Sequence, residues 1–224
     1  MTEAVIETAL ADTPPTLSEF VDARLRSAIL SGELAPGQKL RGEHLAAQWG
    51  VSPTPVREAF QRLAGDGLVV IEAQRGARVA AIDLVEAAEF YELRLMLDPR
   101  ALKSAMANSS DAYRARVTGA YERLVATHRT VPDFLDAHRE FHLTLLSACT
   151  NRQLYRTVVQ LHDHTQRFQV TGSGPRRRGD AAAEHAELFE AVMAGDTRTA
   201  TRVLTAHLRD TLRAVQTWAA HHPT

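Results

Sequence analysis

The stretch that decides the fold of the first third of this chain is Gly50-Val51-Ser52-Pro53-Thr54-Pro55-Val56-Arg57-Glu58-Ala59-Phe60-Gln61-Arg62-Leu63-Ala64. Ser52 is of a residue type that caps helices with its side-chain oxygen. Pro53 is favoured at the first helical position because a backbone N–H there would have no partner within the helix. One apolar stripe follows at the spacing i, i+4 and i+7: Val56, Phe60 and Leu63. We therefore predict a helix that begins at Pro53 and packs by this stripe.

The start of this helix carries side chains that suit a DNA major groove. Ser52 and Thr54 lie at its first turn, where hydroxyls and backbone N–H groups bind phosphates. Arg57 lies off the apolar stripe and can reach the edge of a guanine. Most amphipathic helices bind no nucleic acid, so the prediction depends on the neighbouring segments.

Those segments complete a winged helix. Thr16 and Glu19 form a capping box for a first helix that ends near Gly32. The apolar face predicted for this helix consists of Phe20, Leu25, Ile29 and Leu30. A second short helix, which ends at Gly50, is predicted from Leu40, Leu45, Ala46 and Trp49. Residues 68–71 and 77–80 read as two strands joined by a turn over 72–76.

The motifs of residues 17–81 resemble those of the GntR family of bacterial transcription regulators. They are Gly32-x-x-x-Pro36-Gly37, then Val51-Ser52-x-Thr54-Pro55-Val56-Arg57-Glu58-Ala59, then Gly67-Leu68 and Arg75-Gly76-Ala77-x-Val79. The resemblance implies that DNA is bound by the matching positions Ser52, Thr54, Arg57, Arg75 and Gly76. Many family members carry Arg where this chain has Pro53, and another Arg where it has Glu43.

The remainder of the chain reads as helices almost throughout. Asp83 is predicted to cap a long helix that runs to Met106, and further helices are predicted near 111–128, 132–148, 152–170, 180–194 and 196–219. We therefore predict a mostly α protein with a flexible tail (1–15), a winged helix (16–81) and a helical domain (82–224). The helical domain resembles the FCD ligand-binding domain of FadR-like GntR regulators. The local matches are His138-x-x-Phe141-His142, Asn151-x-x-Leu154, Glu184-His185 and Ala206-His207-Leu208.

Composition sets limits on function. The 224 residues are 45% apolar, but no run approaches the ~18 uninterrupted apolar residues of a membrane helix. The start of the chain lacks the basic and apolar segments of a secretory signal, and the single Cys149 cannot form an internal disulfide. These features favour a cytoplasmic protein. The net charge of -1 means that any case for DNA binding rests on where the charges lie.

Histidine is the unusual residue of the helical domain. The chain has ten histidines, and His138 and His142 stand at i, i+4, so both imidazoles can face one point. His185 and His207 come from two further helices, each in an apolar segment. Such a set suits a divalent metal such as Zn²⁺, Ni²⁺ or Co²⁺. The alternative is that each histidine is an ordinary hydrogen-bonded core or surface residue.

The FCD resemblance adds an expectation about these histidines. FCD domains commonly bind metal through an Asp-x-x-x-His pair and two later histidines, and His142, His185 and His207 match the three histidine positions. His138 stands where the Asp usually is, which removes a negative charge. This His-x-x-x-His version resembles a subset of FCD regulators that includes repressors of small-acid catabolism. The histidines then either hold a metal or bind an organic acid directly.

Three further residues are candidates for effector binding. Arg94 lies one helical turn before Asp98, where FCD proteins have an Arg and an acidic residue near the pocket. The planar guanidinium of Arg binds carboxylates through two hydrogen bonds. The alternative for this pair is a salt bridge on a solvated helix face. Arg167 is a second candidate for a carboxylate, although a structural role is the simpler reading.

The sequence therefore predicts a transcription regulator, by default a repressor, that acts as a homodimer on an operator in double-stranded DNA. A small effector, expected to be a carboxylate, would control it from the histidine-lined domain. A metal-dependent enzyme with an accessory winged helix is the alternative, but no general base is identifiable beside the histidines. A protein–protein adaptor is a third reading, which predicts neither DNA binding nor a bound metal.

Overall fold

A computed structural model describes residues 16–72, 76–127, 131–169 and 178–221. The predicted tail, residues 1–15, and the wing residue Arg75 lie outside the described residues. The backbone divides into two compact units, with the main boundary between Ala80 and Ala81.

The first unit contains helices and a small antiparallel sheet. Its described elements are α1 (Leu17–Leu30), β1 (Lys39–Leu40), α2 (Gly42–Trp49), α3 (Pro53–Gly65), β2 (Val69–Glu72) and β3 (Gly76–Val79). The strand order is β1-β3-β2, and β3 pairs antiparallel with both neighbours. This is a winged helix with one strand more than the sequence predicted. Leu40, which was assigned to the second helix, lies in β1, because a two-residue strand is too short to show a period.

Local signals set most of the helix boundaries in this unit. The capping box is confirmed: the Thr16 N–H donates to Glu19 Oε2 at 2.7 Å, and the Glu19 N–H donates to Thr16 Oγ1 at 3.2 Å. Gly50 ends α2 with φ of +66°, a conformation that favours glycine. The prediction that Ser52 caps α3 with its oxygen is wrong. Ser52 holds the cap position, but its side chain makes no capping hydrogen bond.

The core of the first unit forms under α3. The predicted stripe is confirmed, since Val56, Phe60 and Leu63 are all buried. On α1, however, Phe20 is 46% exposed and Val21 is fully buried. The other three predicted residues, Leu25, Ile29 and Leu30, are buried, so only the assignment of Phe20 to the apolar face is wrong. Val21 is covered instead, because the packing of α1 against its neighbours decides which side chains are buried.

The second unit is helical throughout its described part. Its helices are α4 (Leu84–Ala107), α5 (Asp111–Ala126), α6 (Val131–Leu146), α7 (Arg152–Phe168), α8 (Arg178–Met193) and α9 (Thr197–His221). The predicted cap of α4 is confirmed, because Asp83 Oδ1 accepts from the Val85 N–H at 2.8 Å. Buried apolar side chains from all six helices form one cluster. The candidate site lies among these helices.

Candidate DNA-binding surface and histidine site

The start of α3 presents the predicted DNA-binding side chains to solvent. Ser52, Thr54 and Arg57 are all exposed, while the buried stripe fixes the opposite face of the helix. Arg62 differs from them, because its Nε donates to Asp22 Oδ1 at 3.0 Å and its guanidinium donates to the Ser18 carbonyl at 2.8 Å. Arg62 thus ties α3 to α1, and Arg57 remains the cation directed outward from α3.

The hairpin β2–β3 supplies the other side of this surface. Gly76 has φ of +95°, a backbone conformation that only glycine adopts without strain. A cleft of about 330 Å³ lies between α2, α3 and the hairpin, and its lining includes Glu43, Arg57, Gln61 and Gly76. Gln61 is not among the site residues predicted from the sequence. Its spacing of four residues from Arg57 is the signal that could have found it.

The four predicted histidines lie together in the second unit. His138 and His142 come from α6, His185 from α8 and His207 from α9. One ring nitrogen from each lies within 4.8 Å of the others. We call these four residues the histidine cluster. His142, His185 and His207 are buried and His138 is partly buried, so packing holds their rings in place.

Two pairs of nitrogens in the cluster are spaced as two ligands of one metal ion are. His142 Nε2 lies 3.2 Å from His138 Nε2 and 3.2 Å from His185 Nε2. With Zn–N bonds of about 2.0–2.1 Å, two nitrogens on one tetrahedral ion are roughly 3.3–3.4 Å apart. A neutral imidazole nitrogen has either one proton or one lone pair, so His142 Nε2 cannot make good hydrogen bonds to both neighbours. The histidine cluster could therefore hold a divalent metal ion.

Burial keeps these imidazoles in the form that binds metals. Burial, together with the positive charges that the neighbouring histidines would carry, holds the pKa of both His138 and His142 well below the ordinary histidine value. Both rings are therefore neutral at pH 7. A neutral imidazole offers the lone pair that a metal ligand needs.

Glu184 orients one member of the cluster. His207 Nδ1 lies 2.8 Å from Glu184 Oε2, which leaves Nε2 of the same ring for the cluster. A carboxylate that accepts from the outer nitrogen of a ligating histidine fixes the tautomer and strengthens the ligand. The sequence shows the Glu184-His185 pair, but not that the carboxylate serves His207, which comes from another helix.

We expect Glu184→Gln to weaken metal binding about 10-fold without removing it, because the ring of His207 loses a charged partner but keeps a polar one. Competition with a chelator measures the affinity. Glu187→Gln is the matched control, since Glu187 lies on the same helix and pairs with Arg202 at the surface. Equal affinities in the two variants would exclude an orienting role for Glu184.

Arg94 and Asp98 form a buried ion pair rather than one on a solvated face. The two side chains are only 5% and 1% exposed, and Arg94 Nε donates to Asp98 Oδ2 at 3.0 Å. His162 Nε2 lies 3.0 Å from the same Asp98 oxygen and 2.9 Å from an Arg94 terminal nitrogen. Arg94 also donates to Thr165 Oγ1 at 2.9 Å. His162 and Thr165 were not predicted as site residues, because nothing in the local sequence pattern places α7 beside α4.

Burial and the neighbouring charges both shift the pKa values of Asp98 and His162. Burial would raise the pKa of Asp98, but the charges and hydrogen bonds of Arg94 and His162 outweigh it, so the net shift is downward. Burial and the adjacent Arg94 lower the pKa of His162 to about 4. At pH 7 the network thus contains one cation, one anion and a neutral imidazole.

Arg94 and one member of the histidine cluster, His138, line the same small polar cavity. Its lining includes Arg94, His138, His162 and Thr165. The ring centre of His162 lies 6.0 Å from that of His142. Asp98 accepts a hydrogen bond from Arg94 but does not itself line the cavity.

Arg167 is not brought to this cavity. It is buried, and its guanidinium donates to the Ala81 carbonyl at 3.2 Å. Burial lowers its pKa. The environment of Arg167 thus differs from that of Arg94, the other arginine that the sequence singled out.

A winged helix followed by a helical domain with an internal polar site defines a class of ligand-responsive DNA-binding regulators. The sequence matches the family described as bacterial regulatory proteins, gntR family, over residues 17–79, and the FCD domain over residues 89–210. The chain therefore belongs to the GntR family of transcription regulators and carries an FCD domain. In this family the winged helix binds operator DNA, and the FCD domain binds small-molecule effectors.

Individual relatives agree with this assignment. The HTH-type transcriptional regulator BphR of Paraburkholderia xenovorans strain LB400 is 30% identical over 210 residues, which are 90% of this chain and 86% of BphR. The HTH-type transcriptional repressor GlaR of Escherichia coli strain K12 is 24% identical over 203 residues, 86% of this chain and 92% of GlaR. The solved structure of E. coli McbR/YncC shares the fold, with a TM-score of 0.79 at 20% identity over 91% of this chain and 99% of that one.

The comparisons also decide between the classes of function. The matching domains and the two regulators just named belong to transcription regulation, so the reading as a metal-dependent enzyme is not supported. Among the helices that the structure describes, none has the length and apolarity needed to cross a bilayer.

Proposed function

We propose that this regulator is a homodimeric, cytoplasmic repressor that an organic acid releases from its operator. The observation that carries the proposal is the small polar cavity that is lined both by Arg94 and by His138, a member of the histidine cluster. GlaR, named a repressor, supports repression as the sign of regulation. A dimer suits this kind of protein, because two recognition helices read the two halves of a near-palindromic site.

The proposed DNA contacts come from α3 and the hairpin. Exposed Ser52 and Thr54 would donate to phosphates, and the Ser52 hydroxyl is available because it makes no capping bond. Arg57 would read a guanine from the cleft that it lines. Gly76 would let the wing backbone approach the DNA closely, and Arg75 is proposed as a wing contact from its position in the family motif.

In the helical domain, we propose that His138, His142, His185 and His207 hold one divalent metal ion, Zn²⁺ or Ni²⁺. When bound, the ion supplies a positive charge and a Lewis-acid position for a carboxylate oxygen. Histidine binds a metal ion as the neutral imidazole, and His138 replaces the acidic ligand common in this domain. No ligand charge offsets the ion, which favours an anionic effector. Direct binding of the acid by the histidines is the second candidate, and metal analysis distinguishes the two.

Arg94 would hold the effector carboxylate at the other side of the cavity. Its guanidinium is fixed by Asp98 and Thr165, so its direction is set before the ligand arrives. A positioned guanidinium binds a carboxylate without first losing side-chain freedom. The proposed Asp98 role is to orient Arg94. Arg167, also a candidate from the sequence, would act from outside this cavity.

Release of DNA would follow from a shift between dimer geometries. An acid that binds one dimer geometry more tightly than the other increases the population of the geometry it prefers. The size of the shift is set by the difference between the two affinities. In the favoured geometry the two recognition helices would no longer match the spacing of the half-sites, and the affinity for DNA would fall.

The experiment is a titration of the protein–operator complex with carboxylic acids, from acetate to phenylpropanoate, at fixed salt. We expect at least one acid to release DNA. In the double variant Arg94→Met/Asp98→Asn, the affinity for that acid should fall about 10-fold, because a charged hydrogen bond is lost while no unpaired charge remains buried. The metal content should stay the same.

The control for this experiment is Arg123→Met, which removes a surface cation that pairs with Glu140 away from the cavity. If the acid released the double variant from DNA as readily as it released the wild-type protein, Arg94 would not be part of the effector site. If no acid released DNA from the wild-type protein, the proposed class of effector would be wrong.

A further inference from the structure

We infer that two copies of this chain pair through the exposed face of α4, antiparallel about a two-fold axis that passes between Leu93 and Met96. The inference rests on the proposed function, which includes a homodimer. It goes further by naming the surface through which the two copies bind and the side chains that meet there.

The exposed side of α4 has apolar side chains at its centre. Leu93 is 43% exposed and Met96 is 64% exposed, whereas Tyr91 and Leu102 are buried on the side of α4 that packs against α7 and α9. Exposed apolar side chains that adjoin on one helix face are typical of interaction surfaces, and Met is enriched in the centre of protein interfaces. Six exposed residues make up what we call the α4 face: Glu86, Glu89, Leu93, Met96, Arg100 and Lys103.

The charges of the α4 face change sign from one end to the other. Glu86 and Glu89 precede the apolar centre, while Arg100 and Lys103 follow it. Glu89 stands four residues before Leu93, and Arg100 stands four residues after Met96. Within the part of the chain that the structure describes, Glu89, Arg100 and Lys103 take part in no ion pair. The α4 face is therefore complementary to a second copy of itself turned end for end.

This order of charges selects an antiparallel pair. In that arrangement Leu93 meets the partner's Met96, and Glu89 meets the partner's Arg100. A two-fold interface uses the same patch on both copies, so each of these contacts occurs twice. A parallel pair would place Glu89 beside the partner's Glu89, which like-charge repulsion disfavours. The apolar centre with charged ends also has the usual anatomy of an interface, an apolar core within a polar rim.

The buried side of α4 carries the proposed effector contact. Arg94 directly follows Leu93 in the chain, yet it is only 4% exposed, and Asp98 is fully buried. The helix α4 would thus separate the polar cavity from the second copy. A ligand that binds Arg94 would act on the helix that sets the geometry of the dimer. This is the element through which the proposed shift between dimer geometries would pass.

The experiment reverses single charges in the full-length protein and measures dimer dissociation by analytical ultracentrifugation. Glu89→Lys should weaken the dimer at least about 10-fold, because the new cation faces the partner's Arg100 at two places across the axis. Arg100→Glu should weaken it to a similar extent. Both positions are exposed, so the fold should tolerate either change. Glu122→Lys is the matched control, because Glu122 is an exposed glutamate of α5, and this variant should dimerise as the wild type does.

Two combinations should restore the dimer. The double variant Glu89→Lys/Arg100→Glu exchanges the signs in every copy, and an equimolar mixture of the two single variants should form a mixed dimer. Positions 89 and 100 lie roughly 16 Å apart along the helix axis, which is too far for the two side chains to pair within one copy. Restoration therefore requires contact between the copies.

Each outcome decides the inference. If the single variants dimerise as the wild type does, the α4 face is not the interface, while the proposed homodimer stands. If the single variants dissociate but neither combination restores the dimer, the antiparallel pairing is wrong. If the wild-type protein is a monomer at the concentrations at which it binds its operator, the inference fails together with the proposed homodimer.

Discussion

His142→Ala is expected to leave the protein without bound metal. His142 Nε2 is the nitrogen that lies 3.2 Å from two other cluster nitrogens, so its removal opens the centre of the set. We expect a site reduced to His138, His185 and His207, which come from three different helices, to bind the ion too weakly to keep it during purification. Elemental analysis of protein purified without chelator or nickel resin measures this: about one metal per chain in the wild type and none in the variant.

The matched control is His44→Ala, because His44 is an exposed histidine of the winged helix. It should keep its full metal content. His142 is buried, so circular dichroism must show that the variant keeps its helices. A full complement of metal in folded His142→Ala would remove His142 from the site. A wild-type protein that takes up no metal on titration would favour direct binding of the acid by the histidines.

Arg57→Ala is expected to weaken operator binding by ~1–3 kcal/mol, up to about 100-fold. Arg57 is exposed at the start of α3 and lines the cleft between α2, α3 and the hairpin. A guanidinium that reads a base carries sequence information, so the variant should also discriminate less between operator and unrelated DNA. Fluorescence anisotropy with both DNAs at several salt concentrations measures affinity and discrimination together.

Arg123→Ala controls for the loss of one positive charge, because Arg123 lies on α5 of the other unit and pairs with Glu140 at the surface. It should bind the operator as the wild type does. If Arg57→Ala loses affinity equally for both DNAs, and the salt dependence becomes shallower, then Arg57 contacts phosphate rather than a base. Unchanged affinity in a folded variant would exclude both contacts.

The replacement of an acidic ligand by His138 links these experiments to the class of effector. With an acidic residue at this position, the site would carry a negative charge that repels a carboxylate. His138 and His142 are instead neutral imidazoles, and Arg94 lines the same cavity as His138. A metal ion held by neutral ligands would keep its full positive charge, so the proposed site favours anions.

The sequence by itself determined the features that depend on residues close together in the chain. The capping box of α1 and the end of α2 at Gly50 follow from the preferences of single residues for single backbone conformations. The buried stripe of α3 and the pairing of His138 with His142 follow from the helical period, because residues four apart share a face. The family motifs depend on the same short-range order, which is why they identified the DNA-binding domain.

The tertiary structure decided everything that requires two distant helices to meet. It brought His185 and His207 to His138 and His142 of α6. It also placed Glu184 within hydrogen-bond distance of His207, and His162 and Thr165 within hydrogen-bond distance of Arg94. It also buried the Arg94–Asp98 pair, which the helical period alone could not distinguish from a surface salt bridge. The rotation of each helix about its axis depends on the whole core that it packs against, and no local pattern contains that information.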